Sequence, residues 1–463
     1  MAPSTSFFAP FSPGPTKPFD RKWAAHLLRR TGFGANPAAI DSAVQLGLED
    51  TVEQLFRDLP EEQSQYDQLF ETLNCQFANF TDTGTSQAWW LHRMLTTANP
   101  FREKLTLFWH GHFATSINKV EDTQLMLRQI GLLRQHAWGD FRTLIHAVAK
   151  DAAMIVWLDN ESNTKEHPNE NFAREVMELF TCGIGNYTEK DVRAAARAFS
   201  GWHRDGINFA FNAEVHDTDV KQFLGKRGRF DGGDILDILL AQPATPKFIA
   251  TKLLKFFATP DPAPEVIAEA TDVLNRGHLN IKWFLRELFL SDYFLSDACY
   301  RKQVASPIEF LVGTLRTWKV RKPTAEHLDS LSAMGQELLA PPNVKGWDGG
   351  RKWINSSTLA GRVEFAEDIA NLNAGDNPWS PHLPLEELVP AELNTPQTVV
   401  GRLVEIVFQG EIPGATRKEF EEFIVQNEEG PQLETFRDDL GFRQDRTRQL
   451  LAIMWGLPEY QAI

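Results

Sequence analysis

Apolar residues recur every three to four positions along most of the chain, which is the period of an α-helix with one buried face. The period is clearest at 21–31, 38–57, 122–135, 140–150, 246–257, 264–275 and 282–290. Strand-like alternation is restricted to 206–214, where a short hairpin is expected. The pattern predicts a mainly α fold: a large multi-helix domain with long structured loops, at most a short β-hairpin, and a small helical C-terminal portion.

Interruptions of the helical period give the expected domain boundaries. Residues 1–20 form a Pro-rich lead, 21–376 the main helical domain, and 377–463 a C-terminal helical portion packed on the main domain. Residues 340–357 also break the period, with two prolines, three glycines and two tryptophans. Because exposed tryptophans are costly and glycines allow close backbone approach, 341–357 is predicted to be an ordered loop packed on the helical body.

Charge and composition exclude several classes of protein. The formal net charge of −15 argues against a nucleic-acid binder, whose phosphate contacts need a basic face. No apolar run approaches the roughly 18 residues of a membrane-spanning helix. The three cysteines lie far apart and form no CxxC pair, so no disulfide framework is indicated. Residues 1–20 lack the basic and apolar regions of a signal peptide, which predicts a cytoplasmic location, or an exported one if a leader was removed.

The first chemical candidate is the polar segment that contains NENFARE. On a continuous helix over 167–180, six polar side chains fall on one arc of roughly 140°: His167, Glu170, Asn171, Arg174, Glu175 and Glu178. Such an arc is typical of a solvated helix face, with Glu170 and Arg174 as an i, i+4 pair. Its mixed chemistry also suits the wall of a cleft, and Glu175 and Glu178 could approach one cation together. We predict that the arc faces inward.

A second candidate is the H-x-H pair of FWHGHFATS, which spans residues 108–116. In an extended segment His110 and His112 would point to one side and could meet one metal ion. In a helix they would diverge by roughly 200°. Together with Glu175 and Glu178 they form a candidate His/carboxylate site for a divalent zinc, iron or manganese ion.

A third candidate is the adjacent pair His216-Asp217. Neighbouring side chains diverge, so the pair cannot act as a self-contained dyad. Each residue could still reach a site that other segments assemble. A nucleophile elbow, a phosphate-binding loop and the H-E-x-x-H zinc motif are absent from the sequence.

These stretches together resemble the DUF1800 family, a bacterial family of unknown function. The matching pieces include HLLRRTGFGANP (26–37), REKLTLFWHGHFATS (102–116), HPNENFAREVMELFTCGIGNYTEKDV (167–192), HDTDVKQFLG (216–225) and PPNVKGWDGGRKWINSSTLAGR (341–362), and the resemblance extends over 20–462. It implies a mainly helical protein with a sulfatase-like companion protein as partner. Many members carry export signals, which this chain does not show. The resemblance also implies that the three candidate motifs belong to one shared site or to one structural network.

Two functions follow as hypotheses. The first is a metal-dependent enzyme, hydrolytic or oxidative, whose single divalent ion is held by His110, His112, Glu175 and Glu178. Its catalytic residues would be Glu175, Glu178, Arg174, His167, His216 and Asp217. The alternative is a non-enzymatic scaffold or partner protein in which the same groups form a buried hydrogen-bonded network. The sequence indicates neither the substrate nor the oligomeric state.

Overall fold

The computed structural model describes residues 6–34, 36–59, 82–320, 323–372, 383–409 and 412–463. Its N-terminal half contains α1 (Arg21–Thr31), α2 (Pro37–Leu46), α3 (Leu48–Leu55), α4 (Thr83–Thr96), α5 (Pro100–His112), α6 (Ile117–Val120), α7 (Thr123–Gln135), α8 (Phe141–Ala149), α9 (Ala152–Trp157), α10 (Asn171–Glu175) and α11 (Glu189–Phe199). A 3-10 turn lies at Asn160–Ser162, and a π-helical segment at Val176–Thr181 directly continues α10.

The second half continues in the same way. Its helices are α12 (Gly232–Leu240), α13 (Ala244–Phe257), α14 (Pro264–Arg276), α15 (Ile281–Phe289), α16 (Pro307–Thr317), α17 (Ala325–Ala333), α18 (Ser356–Ala370), α19 (Leu385–Leu388), α20 (Pro396–Phe408), α21 (Gly414–Phe423), α22 (Leu433–Asp438), α23 (Leu440–Gly456) and α24 (Pro458–Gln461), with a 3-10 turn at Gly350–Trp353. The mainly α fold class is confirmed. None of the described helices is both long enough and apolar enough to cross a bilayer.

Local sequence signals explain where several helices begin. The carboxylate of Asp20 accepts hydrogen bonds from the first backbone N–H groups of α1, at Lys22 and Trp23. Asn99 caps α5 in the same manner, and Pro100 occupies the first turn, where no backbone N–H is needed. These side chains satisfy donors that an uncapped helix would leave without a partner.

The described residues contain three antiparallel hairpins instead of one. The expected hairpin near 206–214 is formed by β1 (Trp202–Asp205) and β2 (Asn208–Phe211). The second pairs β3 (Lys221–Phe223) with β4 (Lys226–Gly228), and the third pairs β5 (Gln426–Asn427) with β6 (Gly430–Pro431). The additional strands have two or three residues each, which is too short for a period-2 pattern to show in the sequence.

The predicted lead and C-terminal portion both contact the helical body. Phe8, Phe11 and Phe19 of the lead are buried, and the Phe11 N–H donates to the Leu290 carbonyl at 2.7 Å. At the other end, α23 lies along α18. Residues 377–382 of the predicted C-terminal portion lie outside the described residues. The proposed domain boundaries stay a prediction.

Candidate functional site

The segment around NENFARE does not form the single helix that the sequence pattern predicted. His167 and Pro168 are exposed residues before the helix, which begins at Asn171. At Val176 the winding widens, with the Cys182 N–H bonded to the Met177 carbonyl and the Thr181 hydroxyl to the Val176 carbonyl. The predicted continuous arc over 167–178 is therefore wrong, because α-helical angles do not apply on either side of α10. Single π-helical turns are often found at functional sites.

The two amides of the NEN motif stabilise the preceding loop. The Asn169 side chain donates to the Asp159 carbonyl at 3.2 Å and to the Ser162 hydroxyl at 3.0 Å. The Asn171 side chain donates to the Asp159 carboxylate at 3.3 Å. Asp159 has a φ of +57°, a left-handed conformation that needs such local support. These amides therefore have a structural explanation.

Arg174 connects α10 to α11 instead of facing a cleft. Its guanidinium makes two parallel hydrogen bonds to Glu189, at 2.7 and 2.8 Å, and one to Glu170 at 3.1 Å. These contacts raise the pKa of Arg174, with the hydrogen bonds to Glu189 as the largest cause. His167 lies on the surface, where its backbone N–H donates to the Thr164 hydroxyl. The structure therefore places neither residue with the buried imidazoles.

Glu175 and Glu178 are neighbours at the junction of α10 with the π-helical segment, in unlike environments. Partial burial raises the pKa of Glu175, and the charge of Glu178 raises it further, against the opposing effect of Arg174 and Lys345. Glu178 accepts a hydrogen bond from the Tyr187 hydroxyl at 2.8 Å. The pKa of Tyr187 is raised by burial and then by this carboxylate. One carboxylate thus has a fixed donor, while the other is biased towards its protonated form.

His110 is fully buried near the C-terminal end of α5. Its ring lies against Trp90 and Trp347, with centroid distances of 5.4 and 5.6 Å. Neither ring nitrogen has a hydrogen-bond partner among the described residues. Burial lowers the pKa of His110 to about 3, so the imidazole is neutral at physiological pH. A buried imidazole with both nitrogens unsatisfied destabilises the fold unless a water, an ion or a ligand forms hydrogen bonds or coordinate bonds with it.

His112 lies two residues further along the same helix and contacts other groups. Its Nε2 is 3.2 Å from the Phe180 carbonyl, so Nε2 carries the proton and Nδ1 is an acceptor without a partner among the described residues. Burial, and then the charge of Lys252, lowers the pKa of His112 to about 3. Since both histidines are in α5, the helical alternative applies and the rings diverge.

The predicted metal ligands are not gathered into one set. Across the part of the chain that the structure describes, no three His, Cys, Asp or Glu side chains form a group that could hold a metal ion. Glu175 and Glu178 are close to each other, but His110 and His112 lie on different sides of α5. The described residues thus do not fit the four-ligand site, and the metal stays a prediction.

His216 and Asp217 anchor the segment that precedes β3. The Nδ1 atom of His216 is 2.8 Å from the Ser200 carbonyl. The Asp217 carboxylate accepts two hydrogen bonds from Arg197, at 2.6 and 3.1 Å, and lies 3.5 Å from the Lys221 ammonium. These partners satisfy the Asp217 carboxylate and the Nδ1 atom of His216. The structure therefore does not bring this pair to the carboxylates or to the buried imidazoles.

The loop 341–357 supplies groups that the sequence analysis did not connect with the site. Trp353 is buried and Trp347 packs on His110, as predicted for the two tryptophans of this loop. Lys345 lowers the pKa of Glu175 by its charge, which places it near that carboxylate. The loop therefore connects the end of α5 with the carboxylate pair. The glycines and tryptophans of the loop were the only local signal of this role.

Gly346 lies against the backbone of α5. It has a φ of +78°, and a Cβ atom placed on it would lie 2.2 Å from the Gly111 carbonyl oxygen. We expect Gly346→Ala to lower the free energy of unfolding by more than about 2 kcal/mol, through strain and forced separation of the loop. Gly350→Ala is the matched control, because φ is +58° there but no atom lies within 4 Å. We expect the control substitution to lower the free energy of unfolding by about 1 kcal/mol, because of its left-handed backbone alone. Urea denaturation measures the free energy of unfolding of both variants. Equal losses would show that the close contact with Gly111 does not contribute to stability.

Comparison with known proteins shows the family. Residues 26–462 match the family model described as "Protein of unknown function (DUF1800)". Because the match covers nearly the whole chain, this protein belongs to the DUF1800 family, and the resemblance seen in the motifs is confirmed. No curated protein and no solved structure matches the chain. The family description assigns no activity, so any function must be argued from the site.

Proposed function

We propose that this member of the DUF1800 family is a hydrolytic enzyme in which Glu175 and Glu178 transfer protons. The observation that carries the proposal is the pair itself: two adjacent carboxylates with unlike surroundings. Glu175 has a raised pKa, and Glu178 is held by the Tyr187 hydroxyl at 2.8 Å. A carboxyl group with a raised pKa beside a second carboxylate is a usual arrangement for an acid and a base at one site.

In this proposal Glu175 is the general acid and Glu178 the general base. Protonated Glu175 gives its proton to the leaving group as the scissile bond breaks, and Glu178 takes a proton from the attacking water. Tyr187 fixes the orientation of Glu178, while Lys345 lies where it can offset negative charge that develops on the substrate. No step is assigned to a metal, because the predicted ligands are not gathered among the described residues.

The groups around the pair support a bound ligand at this position. His110 is buried beside the loop that carries Lys345, and both of its ring nitrogens lack partners among the described residues. Trp347 provides an aromatic surface at the same place and is partly exposed. A neutral imidazole offers one donor and one acceptor, which suit a small polar group that enters the interior beside this fully buried ring.

The rival function, a scaffold, is supported by different residues. Arg174, Asn169 and Asp217, each among the polar groups of the candidate motifs, make hydrogen bonds that hold the chain itself together. On this alternative the sulfatase-like companion would bind a rigid surface of the protein, and the carboxylate pair would have no chemical role. Co-purification with such a companion in the absence of any turnover would favour it.

Replacement of Glu175 by Gln separates the two functions. We expect the variant to lose hydrolytic turnover by a factor of about 100 or more, the usual contribution of a positioned acid or base. Turnover is followed by mass spectrometry with esters, amides, glycosides and phosphoesters, and with a small-molecule extract of cells. Glu364→Gln, which changes an exposed carboxylate of α18, is the control and should leave turnover unchanged.

The same variant has a defined stability signature. The folded-state pKa of Glu175 is raised, so the folded protein favours the protonated form of this side chain. The stability that this preference contributes is fully present below the unfolded pKa and is lost as the pH rises through the folded pKa. Glu175→Gln should therefore melt slightly higher than the parent protein at neutral pH and lose this advantage near pH 4. If Glu175→Gln is more stable than the parent protein and the parent shows no turnover with any substrate, the enzymatic proposal is overturned and the scaffold function is favoured. Stoichiometric zinc, iron or manganese in the purified protein would instead restore the metal-dependent hypothesis.

A further inference from the structure

An apolar ridge lies on the surface where α18 packs against α23. It consists of Leu359 and Val363 on α18, each 40% exposed, and Ile453 on α23, which is 42% exposed. Leu359 and Val363 are four residues apart, so they share one face of α18. The two helices meet at this face, since a Cβ atom placed on Gly456 of α23 would lie 4.0 Å from Cγ2 of Val363. Ile453 lies one turn before Gly456 and therefore continues the ridge on α23.

The ridge is separate from the core of the protein. On α18 a different side faces the helical body, where Phe365 and Ile369 are each 1% exposed. On α23 the fully buried residues are Met454 and Trp455. A helix at the surface of a monomer needs one apolar face, and its opposite side is usually polar. Both helices instead present large apolar side chains to solvent, side by side, which favours contact with another protein surface.

Charges of opposite sign lie at the two ends of the ridge. Glu367 is exposed on α18, one turn after Val363 on the same face. Arg351 is exposed at the other end, in the turn that precedes α18. Neither side chain has a partner of opposite charge among the described residues, whereas the adjacent Lys352 is paired with Asp348 at 2.8 Å. The ridge thus has an acidic end and a basic end that do not contact each other within one chain.

We propose that this ridge binds a second copy of the chain across a two-fold axis. Two identical helices that face each other across such an axis run antiparallel, and both copies use the same surface. With the axis near Gly361, Leu359 of each copy packs on Val363 of the other. The same rotation places Glu367 of each copy beside the N-terminal end of the other α18, towards Arg351, where the helix dipole also favours a carboxylate.

A second copy suits this surface because one register satisfies both kinds of contact. Residues that lie equally far before and after Gly361 meet, so the apolar contacts and the charge contacts form together. The apolar side chains leave water on association, while the opposite charges specify the partner and the register. The surface is formed by helices other than α10, which carries Glu175, so this proposal does not depend on the hydrolytic function.

Sedimentation equilibrium of the full chain tests the proposal. We expect the mass to rise from the 52.5 kDa of one chain towards twice that value over roughly 1–200 μM protein, the range of a weak specific interface. Val363→Glu places a charge at the centre of the interface and should raise the Kd of self-association by more than about ten-fold. Ile184→Glu is the matched control, because it adds the same charge at an apolar residue that is 75% exposed outside the ridge. A single-chain mass at every concentration, or equal self-association of the two variants, would overturn the proposal.

Charge reversal tests the two-fold register. Glu367→Arg and Arg351→Glu should each raise the Kd of self-association by about three- to ten-fold, because each brings like charges together. The double variant exchanges the two signs and should recover the Kd of the parent protein, and circular dichroism should show the same fold in every variant. No recovery in the double variant would overturn the two-fold pairing, even if Val363→Glu dissociates the protein. Glu175→Gln should leave the mass unchanged whether or not it alters turnover, so failure of the hydrolytic proposal would leave this one intact.

Discussion

Acidification from pH 6.5 to about 4.5 is expected to lower the free energy of unfolding by about 5 kcal/mol through His110 and His112 alone. Both rings are buried, and burial is the largest cause of the lowering of each pKa from 6.5 to about 3. In this window the unfolded chain binds protons that the folded protein excludes. The stabilisation is therefore complete above pH 6.5 and is lost as the pH falls towards 3, by about 1.4 kcal/mol per pH unit for each ring.

Urea denaturation at several pH values measures this slope directly. We expect His110→Phe, which keeps an aromatic ring between Trp90 and Trp347, to remove about half of the slope. His112→Gln, which retains a donor for the Phe180 carbonyl, should remove a similar share. His167→Gln changes an exposed histidine and is the control, with no expected effect on the slope. A pH dependence that is the same in all four proteins would show that both buried rings titrate normally.

The helices were predictable because their signals are local. Residues 21–31 were predicted from the apolar period, and the structure has a helix at Arg21–Thr31. Its start is determined by the Asp20 carboxylate, which any reader of the sequence can see. The hairpin between Lys221 and Gly228 was missed, because strands of three residues give no recognisable alternation. Such a hairpin depends on contacts with α11, which are distant in sequence.

The candidate site was predictable only in part. The sequence is compatible with a strand or a helix at the H-x-H pair, and the helical alternative is the one found. The π-helical widening at Val176–Thr181 has no period of its own, since it arises when each bond reaches one residue further. Because of this widening, Glu178 does not lie at the position on the helix that α-helical geometry projects for it. The inward orientation predicted for Arg174 fails because Glu189, on another helix, offers a better partner.

A residue from a distant segment completes the proposed carboxylate site, and no local sequence pattern indicates it. Lys345 approaches Glu175 across a large separation in sequence, and Lys252 approaches His112 in the same way. Each lysine taken alone reads as an ordinary basic residue of a loop or a helix. Only tertiary packing shows that Lys104 has a carboxylate partner and Lys252 has none among the described residues.

A buried ionic cluster gives the largest expected effect of a single substitution. The Glu103 carboxylate is fully buried, with the Arg134 Nε at 2.5 Å and the Arg93 Nε at 3.1 Å. The Trp90 indole donates to its other oxygen at 3.2 Å. The cluster connects α4, α5 and α7, and its Trp90 ring also packs against His110. The Arg134 guanidinium is buried, and this carboxylate offsets its charge in the interior.

Glu103→Gln is therefore expected to lower the free energy of unfolding by about 3–5 kcal/mol, because the buried Arg134 guanidinium loses its counter-charge. Glu189→Gln is the matched control: it removes the same charge from an exposed, solvent-screened pair with Arg174 and should lower the free energy of unfolding far less. Replacing Arg93 and Arg134 by Met in the Glu103→Leu background should recover much of the loss, since apolar side chains of similar size need no counter-ion. Urea denaturation at neutral pH compares the four proteins. A Glu103→Gln loss no larger than that of Glu189→Gln would mean that the guanidinium groups find water or other acceptors when the carboxylate is gone.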